Sequence, residues 1–159
     1  MSQLKVTQKL LSFGDKFKVH DLQDRIRYQV SEKLFTWGKV YVISDESGRE
    51  LAKIEQKMLS FLPAFYITLN GKPVATIKKE LSFLRSSYRI EGANISCTGD
   101  FFGMNFQIFE GRQQIAEVNK KFFTMRDTYL IDVPDNSHEL KVLALVLAID
   151  ICEHSGKKG

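Results

Sequence analysis

Residues 140–152 read Leu-Lys-Val-Leu-Ala-Leu-Val-Leu-Ala-Ile-Asp-Ile-Cys. The stretch is apolar on every side, and it follows a chain that otherwise reads almost wholly as β-strand. A helix that is apolar all round must be enclosed, by a membrane or by the centre of a core. Thirteen residues make a helix roughly 20 Å long at about 1.5 Å per residue. A bilayer core takes about 20 apolar residues to cross roughly 30 Å. Lys141 and Asp150 shorten the uninterrupted apolar run to residues 142–149. At helical spacing these two charges point to opposite faces near opposite ends. The reading is a helix that threads a core, with each charge emerging at one end. Pro134 closes the preceding strand, Asn136 is the expected N-cap, and Glu139 is its expected capping-box partner. Gly156 suits a left-handed residue after the helix.

The middle of the chain repeats itself. Gly48-Arg-Glu-Leu-Ala52-Lys-Ile54 is followed by Tyr66. Gly71-Lys-Pro-Val-Ala75-Thr-Ile77 is followed by Tyr88, and Gly111-Arg-Gln-Gln-Ile-Ala116-Glu-Val118 by Tyr129. The Ala-to-Tyr spacings are 14, 13 and 13 residues. Each copy then passes lysines (Lys57; Lys78-Lys79; Lys120-Lys121) and an aromatic loop. The loops are Leu59-Ser60-Phe61-Leu62, Leu81-Ser82-Phe83-Leu84 and Phe122-Phe123-Thr124-Met125. Each copy reads as a pair of strands, and Asn70-Gly71 is a hairpin turn signal. Residues 5–9, 17–20, 26–30, 39–44, 95–98 and 104–109 add further strands, about twelve in all. So many strands close into a barrel or split into two sheets to hide their edges. A closed twelve-stranded barrel is too wide for its own side chains to fill, and the terminal helix would fill it. The expected fold is mainly β: a closed antiparallel barrel of about twelve strands around a central hydrophobic C-terminal helix. Residues 1–154 form the expected single domain and 155–159 a polar tail.

The 159 residues are 43% hydrophobic and 26% charged, with a net charge of +4. That composition is globular. The charge suits weak attraction to anionic surfaces, and no dense basic run marks a nucleic-acid binder. Cys97 and Cys152 form no CxxC, and two isolated thiols fit a reduced, cytoplasmic setting. The N-terminus lacks the apolar segment of a signal peptide.

Four segments then stand out together: Gly99-Asp100-Phe-Phe-Gly103-Met-Asn-Phe106-Gln-Ile108; Gly111 with Ile115-Ala116-Glu-Val118-Asn-Lys120-Lys121; Asp127-Thr128-Tyr129; and Leu143-Ala-Leu-Val-Leu-Ala-Ile-Asp150. In this order they resemble the LURP-one-related (LOR) family, including its bacterial YxjI-like proteins, over essentially the whole chain. That family groups with the tubby C-terminal domain and the phospholipid scramblases. The resemblance implies a twelve-stranded barrel around a central helix, in a family without an established enzymatic activity. Tubby domains bind phosphoinositides through basic surface residues, and scramblase-like members associate with membranes and carry a calcium-binding segment. This chain has no Asp-x-Asp-x-Asp loop and no clear match to the tubby basic pocket.

The residues themselves offer few sites for chemistry. His20, His138 and His154 lack metal-ligand spacing. Asp100, Asp127 and Asp150 could serve acid/base chemistry if two of them faced one another. Turn capping explains Asp100 and Asp127, and Asp150, which opposes the helix dipole, needs solvent or a basic partner. Ser82, Ser86, Ser87 and Ser96 lack a nucleophile elbow, and Cys97 needs a histidine beside it. The basic set is the best hint of binding: Lys78, Lys79, Arg85, Lys120, Lys121 and Arg126. Lys79 and Lys120 occupy matching places in two repeats, and Arg85 and Arg126 each lie ten residues after the repeat Ala. Gathered at one end of a barrel, these charges would attract phosphates or anionic lipid headgroups. The plainer reading is that strand-end lysines keep edges unpaired. The expectation is a non-enzymatic binding or regulatory module without cofactor or metal. Its expected partner is an anionic phospholipid or phosphorylated ligand, with a protein partner as the alternative, and its expected place is cytoplasmic, peripheral at a membrane. Exposed aromatics in the Phe61, Phe83 and Phe101-Phe102 loops would favour the lipid.

Overall fold

The computed structural model describes residues 1–7, 16–83, 85–120 and 128–154. Twelve strands are followed by one helix. They are β1 (Ser2–Thr7), β2 (Lys16–His20), β3 (Ile26–Phe35), β4 (Gly38–Ser44), β5 (Glu50–Gln56), β6 (Ala64–Leu69), β7 (Lys72–Ser82), β8 (Arg85–Glu91), β9 (Ile95–Asp100), β10 (Asn105–Glu110), β11 (Gln113–Asn119), β12 (Thr128–Val133) and α1 (Glu139–His154). Every ladder is antiparallel. The spatial order is β8-β7-β6-β5-β4-β3-β2-β1-β12-β11-β10-β9. Each strand thus pairs with its neighbour in sequence, and β1 closes onto β12 through a six-residue register from Ser2↔Val133 to Thr7↔Thr128. Strands β8 and β9 come together at the remaining seam without a ladder, so the barrel is nearly closed.

The strands alternate as a one-sided sheet requires. In β1, Ser2, Leu4 and Val6 are buried and Gln3, Lys5 and Thr7 are not. The repeats are the β5–β6, β7–β8 and β11–β12 hairpins. Their Ala-to-Tyr spacing carries a consequence. A shift of one residue moves a side chain to the other face of a strand. In the copies spaced by 13 residues, Tyr88 and Tyr129 point inward and are buried; in the copy spaced by 14, Tyr66 points out. Asn70 and Gly71 both take positive φ, 50° and 79°, as a two-residue hairpin turn demands.

Helix α1 runs through the lumen. Residues 142–149 have at most 1% of their surface exposed, and they pack on β5, β6, β7, β11 and β12. No described helix is long and apolar enough to cross a membrane. Three expectations at its ends need correction. Asp135, not Asn136, caps the turn before the helix, its Oδ1 accepting from Ser137 N at 2.9 Å. Asn136 instead accepts from Ser2 Oγ at 2.7 Å, tying the helix start to β1. Glu139 closes no capping box: it is buried, accepting from Arg27 Nη2 at 3.0 Å and from the Tyr28 hydroxyl. Those partners lie in β3, more than a hundred residues away in sequence. Finally, Lys141 does reach the rim, where it meets Glu110 at 3.3 Å, but Asp150 does not emerge at all, with 0% exposure. The expected residue Gly156 and the tail 155–159 lie outside the described residues.

Candidate functional site

Because consecutive strands alternate in direction, the β3–β4, β5–β6, β7–β8 and β9–β10 connections all gather at one end of the barrel. Helix α1 finishes there too: Ser86 Oγ donates to Glu153 Oε2 at 3.2 Å, and His154 Nε2 lies 3.0 Å from the Phe102 carbonyl. This end holds most of the exposed apolar side chains. Of the twelve large exposed hydrophobics among the described residues, nine are here: Leu34, Phe35 and Trp37; Met58, Leu59 and Phe61; Leu81 and Phe83; and Phe102. Leu59, Phe61 and Phe83 are essentially fully exposed. Leu59 and Phe83 sit at φ 61° and 51°, a left-handed conformation that L-residues adopt at a cost. Phe35 and Trp37 stack with ring centroids 4.6 Å apart.

The described members of the expected basic set are placed differently from one another. Lys78 pairs with Glu91 at 3.2 Å. Lys79 turns inward, donating to Glu153 Oε2 at 2.8 Å and to the Cys152 carbonyl at 3.4 Å. A lysine on the last carbonyls of a helix complements the dipole, so Lys79 belongs to the core's closure rather than to an outer anion site. Lys120 is half-buried, and its backbone N–H donates to Asn105 Oδ1 at 3.1 Å. Lys121 and Arg126 lie outside the described residues, as does Asp127. Arg85 is exposed. It stands at the mouth of the β8/β9 seam, in a cleft of about 720 Å³ shared with Ser86, Thr98, Asp100, Phe101 and Phe102. Two cations outside the expected binding set join it at this end: Lys33, near the end of β3, and Lys57, the repeat lysine just after β5. None of the three has a carboxylate partner among the described residues. Their signal lay in the hairpin order, since each flanks a connection at the same end.

The turn before β10 is built locally. Asp100 Oδ1 accepts from Gly103 N at 3.0 Å, the turn-capping role its sequence suggested. Gly99, at φ 136°, lies so close to β10 that a Cβ would stand 2.6 Å from Asn105 O. Only glycine fits there.

Behind the turn lies a buried polar chain. Asp150 Oδ2 accepts from the Tyr129 hydroxyl at 2.9 Å, and Asp150 Oδ1 faces His154 Nδ1 at 2.9 Å. His154 therefore has an acceptor at each ring nitrogen, Asp150 on one and the Phe102 carbonyl on the other. The imidazolium, with a hydrogen on both, satisfies that arrangement. The hydrogen bond His154 donates to Asp150 accordingly holds the His154 pKa above its ordinary value, against the effect of burial. Burial, then the Asp150 charge, pushes the Tyr129 phenol well up. Asp150 thus has the basic partner its position against the helix dipole requires.

His138 Nδ1 lies 3.5 Å from Glu110 Oε2. Burial pushes the Cys97 and Cys152 thiols up to about 12 each, which makes poor nucleophiles of both. Among the described residues no three His, Cys, Asp or Glu side chains could hold a metal ion together.

Comparison with known proteins agrees with this architecture. The family model described as LURP-one-related matches residues 2–150. The Bacillus subtilis (strain 168) protein named Uncharacterized protein YxjI is 30% identical over 151 residues, covering 95% of this chain and 93% of the relative. A protein from Arabidopsis thaliana solved by X-ray crystallography superposes with a TM-score of 0.64 at 12% identity, over 94% of this chain and 90% of its own. At that identity the likeness is one of fold.

Proposed function

The chain belongs to the LURP-one-related family, and on that premise we propose that it is a non-enzymatic binding module that recognises an anionic ligand, such as a phospholipid headgroup, at the end of the barrel where α1 finishes. The observation that carries this reading is the set of cations that stand among the exposed apolar loops there, Lys33, Lys57 and Arg85, none with a carboxylate partner among the described residues. At the other end, Arg25 is held by Asp21, Arg27 by Glu139 and Lys141 by Glu110, while Lys72 and Arg112 are exposed there without exposed apolar loops beside them. Unpaired cations on adjoining loops attract phosphate-bearing partners over about a Debye length, roughly 10 Å at 0.1 M salt. The non-enzymatic part rests on the carboxylates. Asp100 is occupied in a turn, and Asp150 has no surface for a substrate to meet.

The test is sedimentation with anionic and with neutral vesicles. The protein should pellet with the anionic ones, less as salt rises, and replacing Lys33, Lys57 and Arg85 by Ala should release it. Binding indifferent to both salt and these substitutions would end the reading. The exposed apolar loops support a second reading, a protein-interaction scaffold at the same end. It expects a stable partner complex and no pelleting with either vesicle. Either reading suits a cytoplasmic protein, and the first places it peripherally at a membrane.

A further inference from the structure

The apolar side chains at this end are displayed in an unusual way. Leu59, Phe61 and Phe83 contribute no burial to the fold, and two of them occupy left-handed backbone positions. They stand on separate loops, β5–β6 and β7–β8, with the Phe35–Trp37 stack on the β3–β4 hairpin and Phe102 on the β9–β10 turn. Both phenylalanines belong to a Leu-Ser-Phe sequence, residues 59–61 and 81–83, so a fully exposed Phe recurs beside the connection of two hairpins.

We propose that this end of the barrel inserts its loop tips into an anionic phospholipid bilayer, with Leu59, Phe61 and Phe83 reaching the acyl chains and the Phe35–Trp37 pair resting at headgroup level. The proposal rests on the anionic-ligand reading above and adds the physical state of the ligand: an assembled membrane rather than a free headgroup. Three observations favour a bilayer over a protein partner. The prongs are separate. Fluid hydrocarbon closes around each one, whereas a protein would need a matching pit for every tip. The cations are interleaved with the prongs. Lys33 precedes Leu34 and Phe35, Lys57 precedes Met58 and Leu59, and Arg85 follows the Phe83 loop, so each charge can reach the phosphates as its apolar neighbour descends. Trp37, an amphipathic ring exposed beside Phe35, is the residue type that settles at a membrane–water boundary. Burying one exposed Phe strengthens partition by about tenfold to a hundredfold, and each nearby cation adds about fivefold on an anionic surface.

Trp37 is the chain's single tryptophan and reports its own depth. The protein is mixed with vesicles of phosphatidylcholine and phosphatidylglycerol whose acyl chains carry bromine at a defined depth. The expected result is a blue shift of Trp37 emission and its quenching by shallow bromines. Phe61→Ser and Phe83→Ser should each weaken partition about tenfold or more, with the circular dichroism spectrum unchanged. Salt-dependent binding with Trp37 unquenched and both variants binding as well as the parent would overturn insertion and leave the anionic-ligand reading standing. Binding of soluble glycerol phosphate without any binding of vesicles would do the same. Binding of neither would overturn both.

Discussion

The two ends of this barrel are built on opposite terms. Where α1 begins, polar groups are joined across the chain: Ser2 to Asn136, Arg27 and Tyr28 to Glu139, Lys141 to Glu110. Of the large apolar side chains exposed among the described residues, only Met1 and Leu22 are found there. Where α1 ends, the closure lies beneath the surface, in Lys79–Glu153 and in Tyr129–Asp150–His154. Above it stand apolar tips, with Lys33, Lys57 and Arg85 among them. One end leaves almost no large apolar side chain exposed among the described residues; the other holds most of them. The difference teaches that the stability of the fold rests on the plug and its seals, which frees the far loops to carry residues the fold does not need.

The largest effect tests whether the plug supports both ends. Leu145→Asp puts a charge at a position with 1% exposure and should cost on the order of 4–5 kcal/mol or more, abolishing the near-ultraviolet circular dichroism of the native state. Deleting residues 140–152 should likewise unfold the protein. At the sealed end, Glu139→Ala leaves the Tyr28 hydroxyl without its acceptor and should cost about 1–3 kcal/mol, read as a lower urea midpoint at unchanged slope. At the open end, the pH dependence of His154 probes the buried closure. Its folded-state pKa is raised, so its contribution is complete below the unfolded-state value and is lost as pH rises through the folded value. The melting temperature should decline over that interval, and His154→Gln should flatten the decline. The smallest effect is the sharpest for the comparison: Phe61→Ser and Phe83→Ser should change stability by less than about 0.5 kcal/mol. A larger loss would mean that the open end is structural after all.

Much of the plug was legible in sequence, because a helix apolar on every face and too short for a bilayer leaves few places to go. The seals were not. Glu139 sits where a capping box predicts it, yet its partners Arg27 and Tyr28 arrive from β3, and nothing local announces them. Asp150 was expected at the surface because its two hydrogen-bond partners look unrelated to it in sequence: Tyr129 is a repeat tyrosine, and His154 reads as part of a tail. The outward turn of Tyr66, by contrast, was present in the spacing of 14 against 13 residues. At the open end the aromatic loops could be read but their exposure could not, since that depends on which connections the barrel brings together. The inward turn of Lys79 was hidden for the same reason: a charge near the end of a strand points inward when a helix terminus waits there.

The order of assembly gives the lumenal helix a last consequence. All twelve strands precede α1 in the chain, and β1 finds its partner β12 only after more than a hundred intervening residues. Until α1 leaves the ribosome, the inner faces of the wall have nothing to pack against, and the two halves of the sheet cannot be held as a cylinder. The nascent chain therefore carries its whole apolar lining in a state open to aggregation or to capture by chaperones. Completion comes in a single late event, when α1 arrives and the lining closes around it.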